Sequence, residues 1–118
     1  MTQERRQLGS LGEALAAELL RAQGYKIVAR NVRTPLGEID LVARQGEALV
    51  FIEVKLRRSL RFGTPGEAVT ARKQQRLRRA AQYYLMKHPH KAENIRFDVI
   101  AILWQGDQPQ IEIIPAAF

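Results

Sequence analysis

Gly37-Glu38-Ile39-Asp40-Leu41-Val42-Ala43-Arg44-Gln45-Gly46-Glu47-Ala48-Leu49-Val50-Phe51-Ile52-Glu53-Val54-Lys55 reads as two β-rich runs, 37–44 and 47–56, around a glycine turn. Glycine supplies the positive φ that a tight hairpin needs. A two-residue loop at Gln45-Gly46 sets Arg44 opposite Glu47, Val42 opposite Leu49, Asp40 opposite Phe51 and Glu38 opposite Glu53. In that register Asp40 and Glu53 are diagonal neighbours on one face, with backbones roughly 7–8 Å apart. A slip of one residue would send them to opposite faces. Lys55 shares the face of Glu53, because strand side chains alternate with period two.

Charge inside such apolar runs is expensive to bury unless it is paired. Glu-x-Lys alone is a common tripeptide and reads as an exposed ion pair on an edge strand. Asp40 at hairpin distance, among Ile39, Leu41, Val50, Phe51, Ile52 and Val54, favours a shared site instead. Clustered carboxylate oxygens suit a hard divalent cation, Mg2+ or Mn2+. Acidic ligands beside one ammonium are the equipment for metal-assisted attack on a phosphodiester. Glu38, facing Glu53, would repel it unless a cation or a basic side chain lies between them, which makes Glu38 site-adjacent.

The rest of the chain sets the frame. A length of 118 residues suits one domain, 1–118, with a proper core, and 46% apolar residues in periodic segments indicate a globular protein. The absence of cysteine excludes disulfides and thiolate metal sites. No stretch approaches the ~20 apolar residues of a membrane span, and the polar start 1–7 is no signal peptide. These readings predict a cytoplasmic protein without a membrane partner, and leave monomer and homodimer as alternatives.

The net charge of +7 is unevenly placed. Between Lys55 and Lys91 eleven Lys/Arg side chains meet a single acid, Glu67, whereas the other 81 residues hold eight basic and eleven acidic ones. A basic segment directly after an acidic pocket attracts a polyanion and gains from counterion release. Nucleic acid, DNA above all, is the expected partner. A merely solvated basic face would carry interspersed acids, and here they are almost missing.

Periodicity gives an α-β-β-β-α-β order closed by a short last strand. The first helix spans about 8–23 and ends at Gly24, with Leu8, Leu11, Leu15, Leu19 and Ala22 as the expected core stripe. Glu13 lies roughly opposite, with Gly9, Ala16, Ala17 and Leu20, either as a surface side chain or as a partly buried ligand. Strands follow at about 26–32, 38–44 and 48–56, then a loop at 57–66. A helix starts at the N-cap Thr70 and runs to about Lys87, and strands follow at 95–104 and 110–114. The second helix puts Arg72, Arg76, Arg79 and Tyr83 on one face and Leu77, Ala80, Ala81, Tyr84 and Leu85 on another. Lys73, beside Leu77, either snorkels to solvent or points at the acidic pocket, the favoured reading. His88 and His90 flank Pro89 in what reads as a solvated turn, and Asp98 reads as structural, paired with Arg96 or another base.

Gly12-Glu13, Gly24-Tyr25, Arg30-Asn31-Val32-Arg33, Gly37-Glu38-Ile39-Asp40-Leu41, Phe51-Ile52-Glu53-Val54-Lys55-Leu56-Arg57, Phe62-Gly63, Ala68-Val69-Thr70 and Lys73, in that order, resemble the YraN family of small bacterial proteins predicted to be nucleases. Its Asp…Glu-x-Lys arrangement is similar to the restriction-endonuclease-like nucleases and, among them, the archaeal Holliday-junction resolvases. The resemblance implies an α/β fold with a central mixed sheet flanked by helices. It also implies Glu13, Asp40 and Glu53 as metal ligands and Lys55 as the catalytic lysine. Two departures stand out: Ile39 replaces the proline that often precedes the Asp, and Arg79, four after Gln75, breaks the Gln-x-x-x-Tyr helix motif of some exonucleases. The expected function is a metal-dependent DNA endonuclease acting on branched or repair intermediates. Asp40, Glu53 and Lys55 would be catalytic, and Arg57, Arg58, Arg61, Arg72, Arg76 and Arg79 would hold the backbone. The rivals are a nucleic-acid-binding module with a vestigial metal site and a protein-interaction subunit.

Overall fold

A computed structural model describes residues 3–57, 70–89 and 94–118, and their side chains except those of 3–10 and 105. Helix α1 (Gln3–Ala22) precedes strands β1 (Lys26–Thr34), β2 (Gly37–Gln45) and β3 (Ala48–Arg57). Helix α2 (Ala71–Lys87) and strands β4 (Asn94–Gln105) and β5 (Gln108–Ile114) complete the described elements. The strands form one sheet in the order β1-β2-β3-β4-β5. Only β3 and β4 run parallel, from Ala48 opposite Asn94 to Arg57 opposite Leu103. A parallel pair needs a long crossover, which α2 supplies. The mixed sheet flanked by helices is the expected α/β architecture and is compatible with a restriction-endonuclease-like fold.

Both faces of the central strands are covered. Leu41, Val42 and Ala43 of β2 and Leu49, Val50, Phe51 and Ile52 of β3 are all fully buried, the unbroken apolar run of a two-sided strand. Leu41, Ala43, Val50 and Ile52 pack with Ala16 and Leu20 of α1. Ile39, Val42, Leu49 and Phe51 pack with Leu77, Ala80, Ala81 and Tyr84 of α2. Phe51 meets the Tyr84 ring edge-on at 5.8 Å.

The expected core stripe of α1 is the less buried of its two apolar faces, with Leu15 and Leu19 half-buried, and the difference matters for the site. Ala16, Ala17 and Leu20 are buried, whereas Leu11 is 45% exposed and Ala22 lies open. Small residues decide which face lies against the sheet, because they let the helix approach closely. A Cβ at Gly12 would already touch Ile102 Cδ1 at 3.5 Å and Leu56 Cδ1 at 3.9 Å. Glu13 therefore belongs to the sheet-facing side.

The hairpin also departs from expectation. Gly46, at φ 57°, is the first residue of a Gly46-Glu47 turn, where a type II′ hairpin places glycine. Gln45 consequently faces Ala48, Arg44 faces Leu49, and Leu41 faces Ile52. The displacement from the expected register is an even one, so the paired residues, 41–45 and 48–52, keep their expected faces.

The β1–β2 ladder shifts register between Ile27 and Ala29, just before a second irregularity at Asn31. Asn31 has a left-handed backbone, φ 52°, between the paired steps Arg30–Leu41 and Val32–Ile39, so it stands across from Asp40. Alternation breaks there. Ala29 and Val32 both turn toward α2 although three positions apart, as do Ile39 and Val42. On α2, the N-cap is Thr70 as expected, its Oγ1 accepting the Lys73 N–H at 3.4 Å. Arg58, Arg61, the expected loop to Gly66 and His90 lie outside the described residues.

Candidate active site at the fork of the sheet

The ladder between β2 and β3 stops at Leu41 opposite Ile52. Beyond that point β2 stays paired with β1 as far as Gly37, and β3 stays paired with β4 as far as Arg57. The sheet forks, and the next residues on the two arms are Asp40 and Glu53. A backbone N–H freed by such a fork needs another acceptor. Val54 finds one in the Asp40 carboxylate, donating to Oδ2 at 2.8 Å. Glu53 Oε1 takes the Lys55 ammonium at 3.0 Å, with both side chains largely buried. A carboxylate offers about four lone-pair sites, so each acid retains capacity for a ligand.

A pocket of ≈ 220 Å³ opens at the fork, lined by Glu38, Asp40, Glu53, Lys55, Lys73, Arg76 and Leu77. The floor comes from β2 and β3 and the wall from α2. Gly37 is what admits the wall: a Cβ there would meet Arg76 Cγ at 2.9 Å. Glu38, Asp40, Glu53, Lys55 and Lys73, all expected at or beside the site, share this pocket, together with Arg76 from the basic strip. Arg72 and Arg79 lie exposed on α2. Arg57, at the end of β3, lies close enough to Lys73 for their charges to repel.

The electrostatics are those of crowded like charges. Burial, then the carboxylates of Glu53 and Glu13, push Asp40 up to about 7, against the Val54 N–H and Lys55. Glu13 reaches this field from α1: burial and then Glu38 raise its carboxyl, opposed by a hydrogen bond from the Asn31 side chain and by Arg30. The Lys55 ammonium lowers Lys73 below the usual lysine value, the two lying within hydrogen-bond reach. Acids thus gather on the floor around Lys55, facing Lys73 and Arg76 on the wall.

Among the described residues no group of three or more His, Cys, Asp or Glu side chains is arranged to hold a metal ion. Asp40 and Glu53 remain a pair of hard oxygen donors in crowded negative surroundings. Mg2+ commonly keeps several waters and takes only one or two carboxylates, so the donor set fits a hydrated divalent ion. Glu13 acts on Asp40 through its field.

Asn31 stands in the Arg30-Asn31-Val32-Arg33 string of the resemblance, where it carries no assigned role. Its signal is an asparagine inside a β-rich run, where it is disfavoured, nine positions before Asp40.

Residues 12–102 match the model of an uncharacterised protein family, UPF0102, the YraN family that the motif string resembles. A UPF0102 protein of Moorella thermoacetica is 52% identical over 121 residues, covering 100% of both chains. One from Syntrophotalea carbinolica is 50% identical over 118 residues, 100% of this chain and 96% of the relative. One from Symbiobacterium thermophilum is 56% identical over 97 residues, 82% of each. No described helix is long and apolar enough to cross a membrane.

Proposed function

We propose that this chain, which belongs to the UPF0102 family, is a metal-dependent nuclease that hydrolyses phosphodiester bonds of DNA. The observation that carries the reading is the fork, which puts Asp40 and Glu53 side by side with Lys55 under a wall formed by Lys73 and Arg76. Asp40 and Glu53 would hold Mg2+ or Mn2+, with Glu13 completing the site directly or through water. Such an ion supplies Lewis acidity at a phosphoryl oxygen and lowers the pKa of bound water.

Everything else falls to the chain's own groups. Lys55 extends from Glu53 into the pocket, where its ammonium can orient the attacking water or stabilise charge on the phosphate. Lys73 and Arg76 face it from α2, so a phosphate between floor and wall would separate two ammonium groups that otherwise repel. Arg72 and Arg79 continue the strip along the exposed side of α2, suited to flanking phosphates. Arg57 extends the basic rim from β3, and Arg58 and Arg61 would follow it in sequence. Branched or repair intermediates are the proposed substrates through the resemblance to the Holliday-junction resolvases, and the basic wall suits the phosphates of any DNA.

The test is cleavage of duplex, single-stranded and branched DNA with Mg2+ or Mn2+, comparing wild type with Lys55→Ala. Wild type should cut, and the variant should cut about 10²–10³-fold more slowly, the usual loss when one preorganised group stabilising the transition state is removed. Mn2+ affinity should be unchanged or slightly improved in the variant, since a neighbouring positive charge is lost. No cutting by wild type on any substrate would make the domain a nucleic-acid-binding module.

A further inference from the structure

We infer that Gly37 is a positioning residue: the space left by its missing side chain seats the stem of Arg76 against β2 and so sets where the guanidinium meets a phosphate. The inference rests on the phosphate-binding role proposed for Arg76 and goes beyond it to a residue that has no side chain to bind DNA itself.

Gly37 differs from the other positive-φ glycines of the described residues. A Cβ on Gly24, Gly46 or Gly106 would meet nothing within 4 Å. At Gly37, φ 150°, a Cβ would stand 2.9 Å from Arg76 Cγ, 3.3 Å from Arg76 Cδ and 3.6 Å from the Arg76 carbonyl oxygen. Carbon atoms in contact settle about 3.5–4.0 Å apart, so the first two distances force something to move.

Both backbones are fixed. Gly37 closes the β1–β2 hairpin opposite Thr34, whose hydroxyl donates to the Gly37 carbonyl at 2.6 Å and accepts the Leu36 N–H at 3.1 Å. Helix α2 is anchored one residue beyond Arg76 by Leu77, then by Ala80, Ala81 and Tyr84, all buried. What can yield is the Arg76 side chain, which is exposed where it lines the pocket. Cγ is the second carbon of that stem, so displacing it swings Cδ and the guanidinium with it. An arginine binds phosphate through a planar fork whose grip depends on its aim.

The competing explanation is that glycine stands here only for its backbone, since this φ is strained for other residues. That strain is the same whatever side chain residue 76 carries. Arg76→Ala removes Cγ and Cδ and leaves only the 3.6 Å contact to the carbonyl oxygen. A double-variant cycle therefore separates the two explanations.

The experiment is fluorescence-anisotropy titration of labelled duplex DNA with wild type, Gly37→Ala, Arg76→Ala and the double variant at several salt concentrations. Ca2+, a hard cation that carboxylates hold, is the divalent ion; gels check that the DNA stays intact, and circular dichroism melts record the fold of each protein. Gly37→Ala should weaken binding about as much as Arg76→Ala, roughly tenfold near 0.1 M salt, and flatten the slope of log affinity against log salt by about 0.9. In the Arg76→Ala background it should change neither, although the melting temperature falls in both backgrounds. Wild-type affinity and slope in Gly37→Ala overturn the inference and leave the nuclease reading standing. So does an undiminished loss in the Arg76→Ala background, which would place the effect elsewhere than on Arg76. Wild-type binding by Arg76→Ala takes Arg76 off the DNA, and both its proposed role and the inference fall. If Gly37→Ala does not fold, nuclear magnetic resonance of wild type decides. Arg76 Nε should then be more ordered than that of Arg72, exposed on the same helix, with Overhauser contacts from the Arg76 stem to the Gly37 Hα protons. An Arg76 Nε as mobile as that of Arg72 overturns the inference.

Discussion

Asp40 carries the tension of the site in one side chain. Its carboxyl rises from an ordinary 3.8 to about 7, chiefly through burial and then through the neighbouring Glu53. A raised acid binds its proton more tightly in the folded state than in the unfolded one. Folding stability is therefore greatest below the unfolded value, near 4, and is lost as pH rises through about 7. Displacement by roughly three pH units corresponds to about 4 kcal/mol at most. Asp40→Asn removes the titration while its amide oxygen can still accept the Val54 N–H. In metal-free buffer, its stability relative to wild type should rise between pH 4 and pH 7 and level off above that, read from urea midpoints at pH 4, 6 and 8. A gap that does not change with pH would mean that Asp40 ionises as freely as an exposed acid. Mn2+ should close the gap at pH 8 by stabilising wild type alone. The sequence exposes the acids and Lys55 as a set, because apolar neighbours surround them. It hides the break at Asn31, because a single left-handed residue inside a strand leaves no periodic signal.

Helix α2 is the element whose reading from sequence needs least revision. Thr70 caps it, Leu77, Ala80, Ala81 and Tyr84 face the sheet, and Arg72, Arg76 and Arg79 stay exposed. A clean split between apolar and basic arcs makes that assignment local. Helix α1 offers two apolar arcs, and the leucine-rich one is the more exposed, since Gly12, Ala16 and Ala17 allow the closer approach to the sheet. Its orientation is a packing property that leucine counting misses. The hairpin is intermediate: the faces are legible from alternation, while the register depends on whether Gly46 takes the first or second turn position. For α2 the consequence is measurable. Replacing Arg72, Arg76 and Arg79 by alanine should weaken DNA binding similarly across sequences. The slope of log affinity against log salt should flatten by roughly three, about 0.9 per phosphate contact on B-DNA. An unchanged slope would take the strip off the DNA.

At the scale of the whole molecule, the face that carries chemistry and a polar knot on the opposite face divide the work. Asp98, fully buried, pairs with Ile52 on β3, one residue before Glu53 but on the α1 side. Its Oδ1 accepts Arg96 Nε at 2.8 Å and the Ala116 N–H at 2.9 Å. Its Oδ2 accepts the Tyr25 hydroxyl at 3.0 Å and an Arg96 Nη2 bond at 2.9 Å. Arg96 also donates to Gln45 Oε1 at 2.6 Å. Only the Arg96 partnership is legible in sequence, since strand residues two apart share a face. The other partners of Asp98 and Arg96 lie 73, 51 and 18 positions away and meet only once α1, the hairpin and the end of the chain are in place. No buried side-chain polar atom among the described residues lacks a partner, and a fully satisfied network of this kind rigidifies a core. Arg96→Ala should strand the buried carboxylate and cost about 3–5 kcal/mol in urea denaturation. The paired change Arg96→Met with Asp98→Leu should cost less, because it removes both charges at once. Mn2+ affinity should survive the paired change, since the fork opens on the α2 face. Arg96→Ala unfolding at the wild-type urea midpoint would show that the knot holds nothing together.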